Sequence, residues 1–323
     1  MTSTYILKLP HLKIHNANAL SSPYTIGFPA MTAWLGFMHA LERKLRGDGS
    51  LNIVFDSIAV ISHECDLQTH RGPNDFVNSI IGTGNPLNSD GSRSAFIEEA
   101  RCHLDVSLLI KYEVGVNDRG EGIPENSPIL DVFHQVIMSM KLAGGDILSL
   151  GKPTVHIIPP EDLNGESRRK LLNSVMPGYA LIERRDLMQT AMEEGQDALD
   201  ALLDYVVVEN QCIEKPRVEK DIANESHGEE KRHYEWRTQR KAAGWIVPIA
   251  TGYQGISSLG QAKNQRDPDV PHRFAESVVT LGEFILANRA NNIHEILWEF
   301  KFIESQNLYL CQQVAFESIS NGE

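Results

Sequence analysis

Apolar and polar residues alternate along residues 5–14, which is the pattern of a β-strand with one buried face. Residues 30–46 change to the helical period and bring Trp34 and Met38 onto the same face. Glycine and serine residues interrupt the chain before residues 51–61, where β-branched and aliphatic residues predict a second strand. The N-terminal part of the chain is therefore predicted to begin as strand, helix, strand.

The same two periods recur further along the chain. Residues 96–112 alternate at period two and predict a half-buried strand. Residues 129–142 carry apolar side chains on one helical face, and we expect this helix to stop at Gly144 and Gly145. A short strand is predicted at 154–158. The order strand, helix, strand, strand, helix, strand is the ferredoxin-like pattern of many RNA-recognition modules, so the sequence predicts an α+β fold.

Residues 66–95 separate the second and third predicted strands and show no regular period. Glycines and prolines punctuate this stretch. An irregular stretch of such length within a compact domain is more often a functional loop than a simple connection. We therefore predict a protruding hairpin here, which we call the thumb.

The pattern predicts two parts, with residues 1–160 forming the core that carries the thumb and residues 161–323 forming a C-terminal α/β extension. Within the extension, residues 209–241 are highly charged and contain few core-forming residues, which favours a solvated or partly disordered excursion. The other predicted elements of this part are helices at 168–176, 186–208, 274–285 and 293–300, strands at 179–182 and 244–249, and a turn-rich loop at 251–259.

Composition describes a globular protein, with 41% apolar residues and charges of both signs. No apolar run approaches the length of about 18 residues that a membrane span needs, so no membrane partner is expected. The N-terminus lacks the apolar core of a signal peptide, which favours a cytoplasmic protein. The four cysteines are scattered without metal-type spacing and fit reduced thiols in that compartment.

The formal net charge of −13 argues against broad, sequence-independent binding of nucleic acid, because phosphate neutralisation supplies most of that affinity. The charge is unevenly distributed, however. Residues 1–112 hold nine Lys or Arg against ten Asp or Glu, so nearly all of the negative charge lies in residues 113–323. A nearly neutral N-terminal part permits a local, shape-specific RNA contact.

Catalytic and metal-binding patterns are weak in this sequence. His63 with Cys65, and Cys102 with His103, lack the paired spacing of four-coordinate zinc sites, so neither a metal nor another cofactor is expected. No nucleophile motif or HExxH motif is present. His15, at the end of the first strand, is the reasonable candidate for the general base of a metal-free ribonuclease.

Two polar turns are candidates for holding a phosphate backbone. The turn after the first strand contains Asn and Ser residues and leads into a helix N-terminus, which is a natural anion site, although a plain connecting loop explains the same residues. Lys141 precedes the glycine pair at 144–145, where backbone can approach RNA closely, although a simple helix C-cap is the alternative. Trp245, Tyr253 and Phe28 could stack on unpaired bases.

Several longer motifs occur in order along the chain. They are NANALSSPYTIGFP opening residues 16–41, NPLNSDGS opening residues 85–109, KLAGGDIL at 141–148, PGYAL at 177–181, GWIVPIATGY at 244–253 and RFAESVVTLGE at 273–283. Together these motifs resemble the family of second Csy proteins, the Cas five-type subunits of the type I-F CRISPR surveillance complex. The resemblance covers nearly the whole chain apart from the thumb tip, the charged segment and the C-terminus.

The resemblance implies a non-enzymatic scaffold with a ferredoxin-like (RAMP-type) core that grips the 5′ handle of the crRNA and folds its thumb over the start of the spacer. It implies docking to the large Cas eight-type subunit and to Cas seven-type backbone subunits, contact with target DNA through the assembled complex, and phage anti-CRISPR proteins as a further class of partner. The residues expected to form the RNA site are Asn16, Asn18, Ser21, Ser22, Thr25, Phe28, Asn85, Asn88, Arg93, Arg101, His103, Lys141, Gly144, Gly145, Trp245 and Tyr253.

Two other functions compete with this interpretation. One is a crRNA-processing endoribonuclease of the same superfamily, with His15 as general base. The other is a stand-alone regulator or interaction module that binds no RNA. Cleavage of repeat RNA would support the first alternative, and purification without any RNA would support the second.

Overall fold

The computed structural model describes residues 3–47, 53–84, 87–93, 96–97, 99–114, 122–124, 127–162, 165–214 and 234–313. The helices are α1 (Met31–Gly47), α2 (Ile129–Met138), α3 (Glu166–Asn173), α4 (Arg185–Glu193) and α5 (Ala198–Val206). The strands are β1 (Thr4–Asn18), β2 (Leu20–Ser22), β3 (Thr25–Ile26), β4 (Ile53–Leu67), β5 (Thr69–His70), β6 (Ser79–Ile80), β7 (Thr83–Gly84), β8 (Phe96–Ile97), β9 (Arg101–Val114), β10 (Lys141–Leu142), β11 (Gly145–Ser149), β12 (Thr154–Ile158), β13 (Tyr179–Glu183), β14 (Glu209–Glu214), β15 (Tyr234–Gln239), β16 (Ile246–Gly255), β17 (Ala275–Leu286), β18 (Trp298–Ile303) and β19 (Leu308–Gln313).

Four strands organise the N-terminal half, in the order β12–β1–β9–β4. Each neighbouring pair is antiparallel, with β11 continuing the edge beside β1. Helices α1 and α2 pack on one face of these strands, where Trp34 and Phe133 are fully buried against Leu9 and Leu108. The apolar residues of the period-two pattern in β1 and β9 thus face this core, and the residues between them face the opposite side of the sheet. The predicted α+β class is confirmed.

The C-terminal strands continue the same sheet. Strand β13 pairs with β4 on one side and with β17 on the other, and β17, β16, β19 and β18 follow in that order. Strand β18 returns to β4 through the pair Trp298 and Ile58. Among the described residues, the pairings of these six strands therefore form a ring, whose buried side chains join the core beneath α1.

Several polar groups inside this ring are paired, whereas the Thr251 hydroxyl and the side-chain nitrogen of Gln313 are buried without a partner among the described residues. The indole N–H of Trp298 donates to the carbonyl of Leu181 at 2.8 Å, and the backbone N–H of Glu183 donates to the side-chain oxygen of Gln313 at 2.9 Å. Burial raises the pKa of the Glu183 carboxyl, although Arg185 forms an ion pair with it. These contacts satisfy groups that would otherwise be costly to bury.

A second, smaller core covers one end of the opposite face of the sheet. It contains Leu171 and Leu172 from α3 together with Ile6, Leu109 and Ile296. The other end of this face stays open, and the polar side chains that β9 directs there are Arg101, His103 and Asp105. We call this uncovered area the open face.

Several predicted elements are wrong. Residues 274–285 form strand β17 instead of a helix, because β-branched Val278, Val279 and Thr280 favour extended backbone and the strand pairs on both sides. Residues 293–300 form a short 3₁₀ turn (Ile293–Ile296) followed by the start of β18. Within the predicted loop at 251–259, the first five residues continue strand β16.

Two further boundaries differ from the prediction. Helix α2 ends at Met138, and residues 141–142 form β10, so the glycine pair belongs to a β-hairpin instead of a helix stop. The predicted excursion at 209–241 contains an antiparallel pair, β14 with β15, and residues 215–233 lie outside the described residues. The predicted helix at 186–208 is two helices, α4 and α5.

The thumb segment contains the short antiparallel pair β5 with β6, and it contains β7, which pairs with β8 just beyond the end of the segment. Phe76 is 94% exposed between β5 and β6. That residues 66–95 act as a thumb over RNA stays a prediction. Among the described residues, no helix combines the length and apolar character needed to cross a bilayer.

Replacing Trp298 by Phe is expected to lower the free energy of unfolding by about 1–3 kcal/mol, because the buried Leu181 carbonyl loses its donor. Urea denaturation of the purified chain measures this change. The matched control is Trp236→Phe on the exposed β15, where the change should stay within about 0.5 kcal/mol. Equal effects of the two substitutions would contradict the stabilising role of the hydrogen bond between Trp298 and Leu181 inside the ring of strands.

Candidate nucleic-acid interface

The end of β1 turns into the polar loop through a β-bulge at Asn16, whose φ is 56°. Three side chains hold this residue. Its backbone N–H donates to Nδ1 of His103 at 3.2 Å, and Arg101 donates to its carbonyl at 3.4 Å. The Gln68 amide donates to the Asn16 side-chain oxygen at 2.6 Å. The predicted site residues Asn16, Arg101 and His103 are thus neighbours.

Hydroxyl groups hold the next part of the loop, the small hairpin of β2 and β3. The Thr25 hydroxyl lies 2.7 Å from the Ser22 hydroxyl and 2.8 Å from the Ser21 hydroxyl. Ser22 and Thr25 are buried, and their hydroxyl contacts shape the loop. Tyr24 at the tip is 80% exposed, and sequence reasoning missed it because a lone aromatic residue in a turn carries no periodic signal.

The second predicted turn is the tip of the hairpin formed by β10 and β11. Ala143 and Gly144 have φ values of 48° and 76°, the left-handed pair that a two-residue hairpin turn requires. The Ala143 carbonyl accepts from the backbone N–H of Asn18 at 2.8 Å. A Cβ on Gly145 would lie 2.7 Å from the His15 carbonyl oxygen, so only glycine lets the hairpin lie this close to β1.

The two turns line one groove of about 1060 Å³. Its walls also include Arg101, Tyr253 and the start of α1, whose first-turn N–H groups favour anions. The lining residues are Asn18, Leu20, Ser21, Ser22, Pro23, Pro29, Ala30, Thr32, Ala33, Glu99, Arg101, Ala143, Gly144, Tyr253 and Ser277. Elements distant in sequence therefore meet at one concave surface that combines polar and apolar groups.

Charges around the groove are mostly paired within the chain. Arg101 forms an ion pair with Glu99, which also lines the groove. Lys141 contacts Asp146 at 2.7 Å in an exposed ion pair, and this hydrogen bond and the lysine charge lower the pKa of the Asp146 carboxyl. A phosphate entering the groove would compete with these carboxylates for the cations.

Other predicted site residues lie elsewhere. Phe28 is only 8% exposed and stacks on Trp34 with ring centroids 5.3 Å apart, so little of its ring is open to a base. Trp245 is 52% exposed beside a separate pocket of about 250 Å³. Asn88 and Arg93 lie in an exposed part of the thumb segment and do not line the groove. Asn85 lies outside the described residues.

Four histidines form two stacked pairs on the open face. His15 stacks on His103 with ring centroids 4.3 Å apart, and His11 stacks on His63 at the same distance. His15 is exposed, which is compatible with contact to a ligand. The sequence does not show these pairs, because only the register of β1, β4 and β9 brings the histidines together.

Comparison with known proteins gives the family of the chain. The family model described as CRISPR-associated protein (Cas_Csy2) matches residues 7–311. The chain belongs to the Cas_Csy2 family. A relative named CRISPR-associated protein Csy2, from Pseudomonas aeruginosa (strain UCBPP-PA14), is 33% identical over 324 residues, covering 94% of each chain. The resemblance to type I-F Csy proteins is confirmed, and the Csy2 match extends across both the groove and the C-terminal ring.

Replacing Gly145 by Ala is expected to lower the free energy of unfolding by about 1–3 kcal/mol, because the new methyl group meets β1 backbone atoms that cannot rotate away. Thermal or urea denaturation measures the loss. Gly36→Ala is the matched control, since a Cβ there meets nothing within 4 Å and a helical alanine should add about 0.5–1 kcal/mol. A neutral Gly145→Ala variant would contradict the close approach of hairpin and β1.

Proposed function

We propose that the chain is a non-catalytic subunit of a type I-F crRNA-guided surveillance complex, and that it holds the 5′ handle of the crRNA in the groove between its two polar turns. Membership of the Cas_Csy2 family supports the place in a CRISPR complex. The observation that carries the RNA site is the convergence of the loop at 16–28, the hairpin at 141–145 and Arg101 on one groove.

The strand order supports an RNA-binding core. Antiparallel strands in the order β12–β1–β9–β4, with α1 and α2 on one face, follow the spatial order expected for a ferredoxin-like β-α-β-β-α-β unit. In RNA-recognition modules of this type, bases lie on the face that the helices leave uncovered. The open face carrying Arg101 and His103 is the corresponding surface here.

The proposed recognition depends more on shape than on charge. An acidic chain with a net charge of −13 cannot hold RNA through a broad electrostatic field. In our proposal, Arg101 hydrogen-bonds one phosphate, and the N–H groups at the start of α1 favour a second phosphate. The half-exposed rings of Tyr253 and Trp245 stack on unpaired bases. Neighbouring subunits of the complex would supply further positive charge.

The remaining parts of the proposal concern the neighbours of the subunit. The thumb would fold over the guide near the start of the spacer. The chain would dock the large Cas eight-type subunit and the first Cas seven-type backbone subunit, and would meet target DNA only through the assembled complex. The exposed position of Phe76 in the thumb segment is compatible with a contact between the thumb and the guide RNA.

A processing ribonuclease is the second candidate, because the exposed His15 stacks on His103 and two neighbouring imidazoles can serve as acid and base. The contacts of His103 favour the scaffold. Its Nδ1 accepts from the backbone of Asn16, so this ring helps to hold the loop.

Arg101→Ala and Asn18→Ala are expected to weaken binding of a crRNA that carries the handle, by about tenfold or more for Arg101. Loss of a phosphate contact should also reduce the slope of log affinity against log salt by about one. The measurement is titration of labelled crRNA with the chain co-purified with its large-subunit partner. Arg43→Ala, which removes the same charge from the exposed side of α1, is the matched control.

If both variants bound the handle with the affinity and salt slope of the unmodified chain, the groove would be excluded as the RNA site. A loss in the Arg43→Ala control equal to that in Arg101→Ala would indicate a general charge effect and would also contradict the proposal.

Neither the unmodified chain nor His15→Ala is expected to cleave repeat RNA, because the proposed scaffold has no catalytic activity. The measurement is multiple-turnover incubation of repeat RNA with the purified chain and with the variant. Cleavage by the unmodified chain that disappears in His15→Ala would establish the ribonuclease and overturn the scaffold.

A further inference from the structure

Three neighbouring strands of the open face bring His11, His63 and Asp105 together. The candidate ligand atoms of these residues all lie within 4.8 Å of one another. They come from β1, β4 and β9 respectively, so no sequence spacing reveals the cluster. The groove between the two polar turns lies at the end of β1 and the start of β9, and other residues line it.

A β-bulge positions His11. Leu9 pairs with Leu108 and Leu12 pairs with Val106, so β1 holds one extra residue at this point. His11 has a φ of 49°, and its backbone N–H donates to the Ser107 hydroxyl at 3.1 Å. Bulges commonly redirect side chains near functional sites, and here the bulge places the imidazole over β9.

The contacts of His63 fix both its ring and its proton. Nδ1 lies 2.6 Å from the Pro177 carbonyl, which only accepts, so Nδ1 carries the hydrogen. Nε2 lies 2.7 Å from the Ser107 hydroxyl and therefore presents a lone pair. A Cβ on Gly178 would lie 3.0 Å from Cε1 of His63, so the ring packs directly on backbone. A carbonyl on one ring nitrogen is typical of histidines that bind metals through the other nitrogen. Here that other nitrogen, Nε2, is hydrogen-bonded to the Ser107 hydroxyl, which an ion would have to displace.

Asp105 supplies the third donor. Its carboxylate oxygen lies 3.0 Å from Nδ1 of His11, close to the spacing of two ligands on one ion. The His11 side chain is 55% exposed, so it can rotate to shorten its distance to His63. In the absence of an ion, these residues form a histidine–carboxylate pair beside a stacked imidazole.

We propose that His11 Nδ1, His63 Nε2 and one Asp105 oxygen bind a single first-row divalent cation of the zinc class. Two imidazoles and a carboxylate are the donors of such ions, whereas Mg²⁺ and Ca²⁺ prefer oxygen-only sets. Water would complete the coordination on the solvent side, next to the exposed His11. The ion would take the place of the hydrogen bond that the Ser107 hydroxyl now makes to Nε2 of His63, and the hydroxyl would rotate away.

The proposed ion has two physical consequences. It would join β1, β4 and β9 where the second core ends, and so stabilise the open face. It would also add positive charge two residues from His103 along β9, in a chain of net charge −13. The proposal does not depend on RNA binding and can be tested without RNA.

The test uses the full chain without a histidine tag, stripped with EDTA and dialysed against Zn²⁺. Elemental analysis should give one zinc per chain. His11→Ala and Asp105→Asn should each lower the affinity for zinc more than about tenfold. His70→Ala, which removes an exposed histidine of β5, should leave zinc binding unchanged.

His63→Ala also removes the contacts to Pro177 and Ser107, so a loss of zinc in that variant could reflect a structural change. His11 is exposed, and His11→Ala is therefore the decisive variant. Zinc should raise the melting temperature of the unmodified chain and of His70→Ala, but not that of His11→Ala. No bound zinc, or zinc binding that survives both His11→Ala and Asp105→Asn, would overturn the site. Equal loss in His70→Ala would identify adventitious histidine binding and would overturn it too.

Discussion

The close approach of the β10–β11 hairpin to β1 is the constraint on which the groove depends. Gly145 lies against the His15 carbonyl and the Ala17 amide, where any side chain would collide with backbone. The approach lets the Ala143 carbonyl accept from Asn18 and sets the hairpin tip opposite the polar loop. Without it, the loop, the hairpin and Arg101 would not share one concave surface.

Local patterns predicted most of the N-terminal half because each strand there has one face in the core. The period-two alternation of β9 and the helical period of α1 reflect real burial, and the strand at 154–158 matches β12. The C-terminal errors have a common cause. Strand β17 is paired on both sides and lies partly within a ring of strands, so its apolar run resembles that of a buried helix. The β-branched residues at 278–280 favour the strand, and the pairing on both sides decides it.

The candidate site was predictable in part. Polar turn residues indicated the loop, and the glycine pair indicated the hairpin, although its helical context was wrong. The burial of Ser22, Thr25 and Phe28 could not be read from the sequence, because it depends on what the loop folds against. The histidine pairs of the open face were equally hidden, since they depend on the register between strands and on two bulges in β1.

The most direct test of the account is a map of the assembled ribonucleoprotein at a resolution that shows side chains. The account predicts handle nucleotides in the groove, with a phosphate at Arg101 and backbone contacts from residues 16–28 and 141–145. A map that places the handle away from both turns, with the groove filled by protein or solvent, would contradict the central claim.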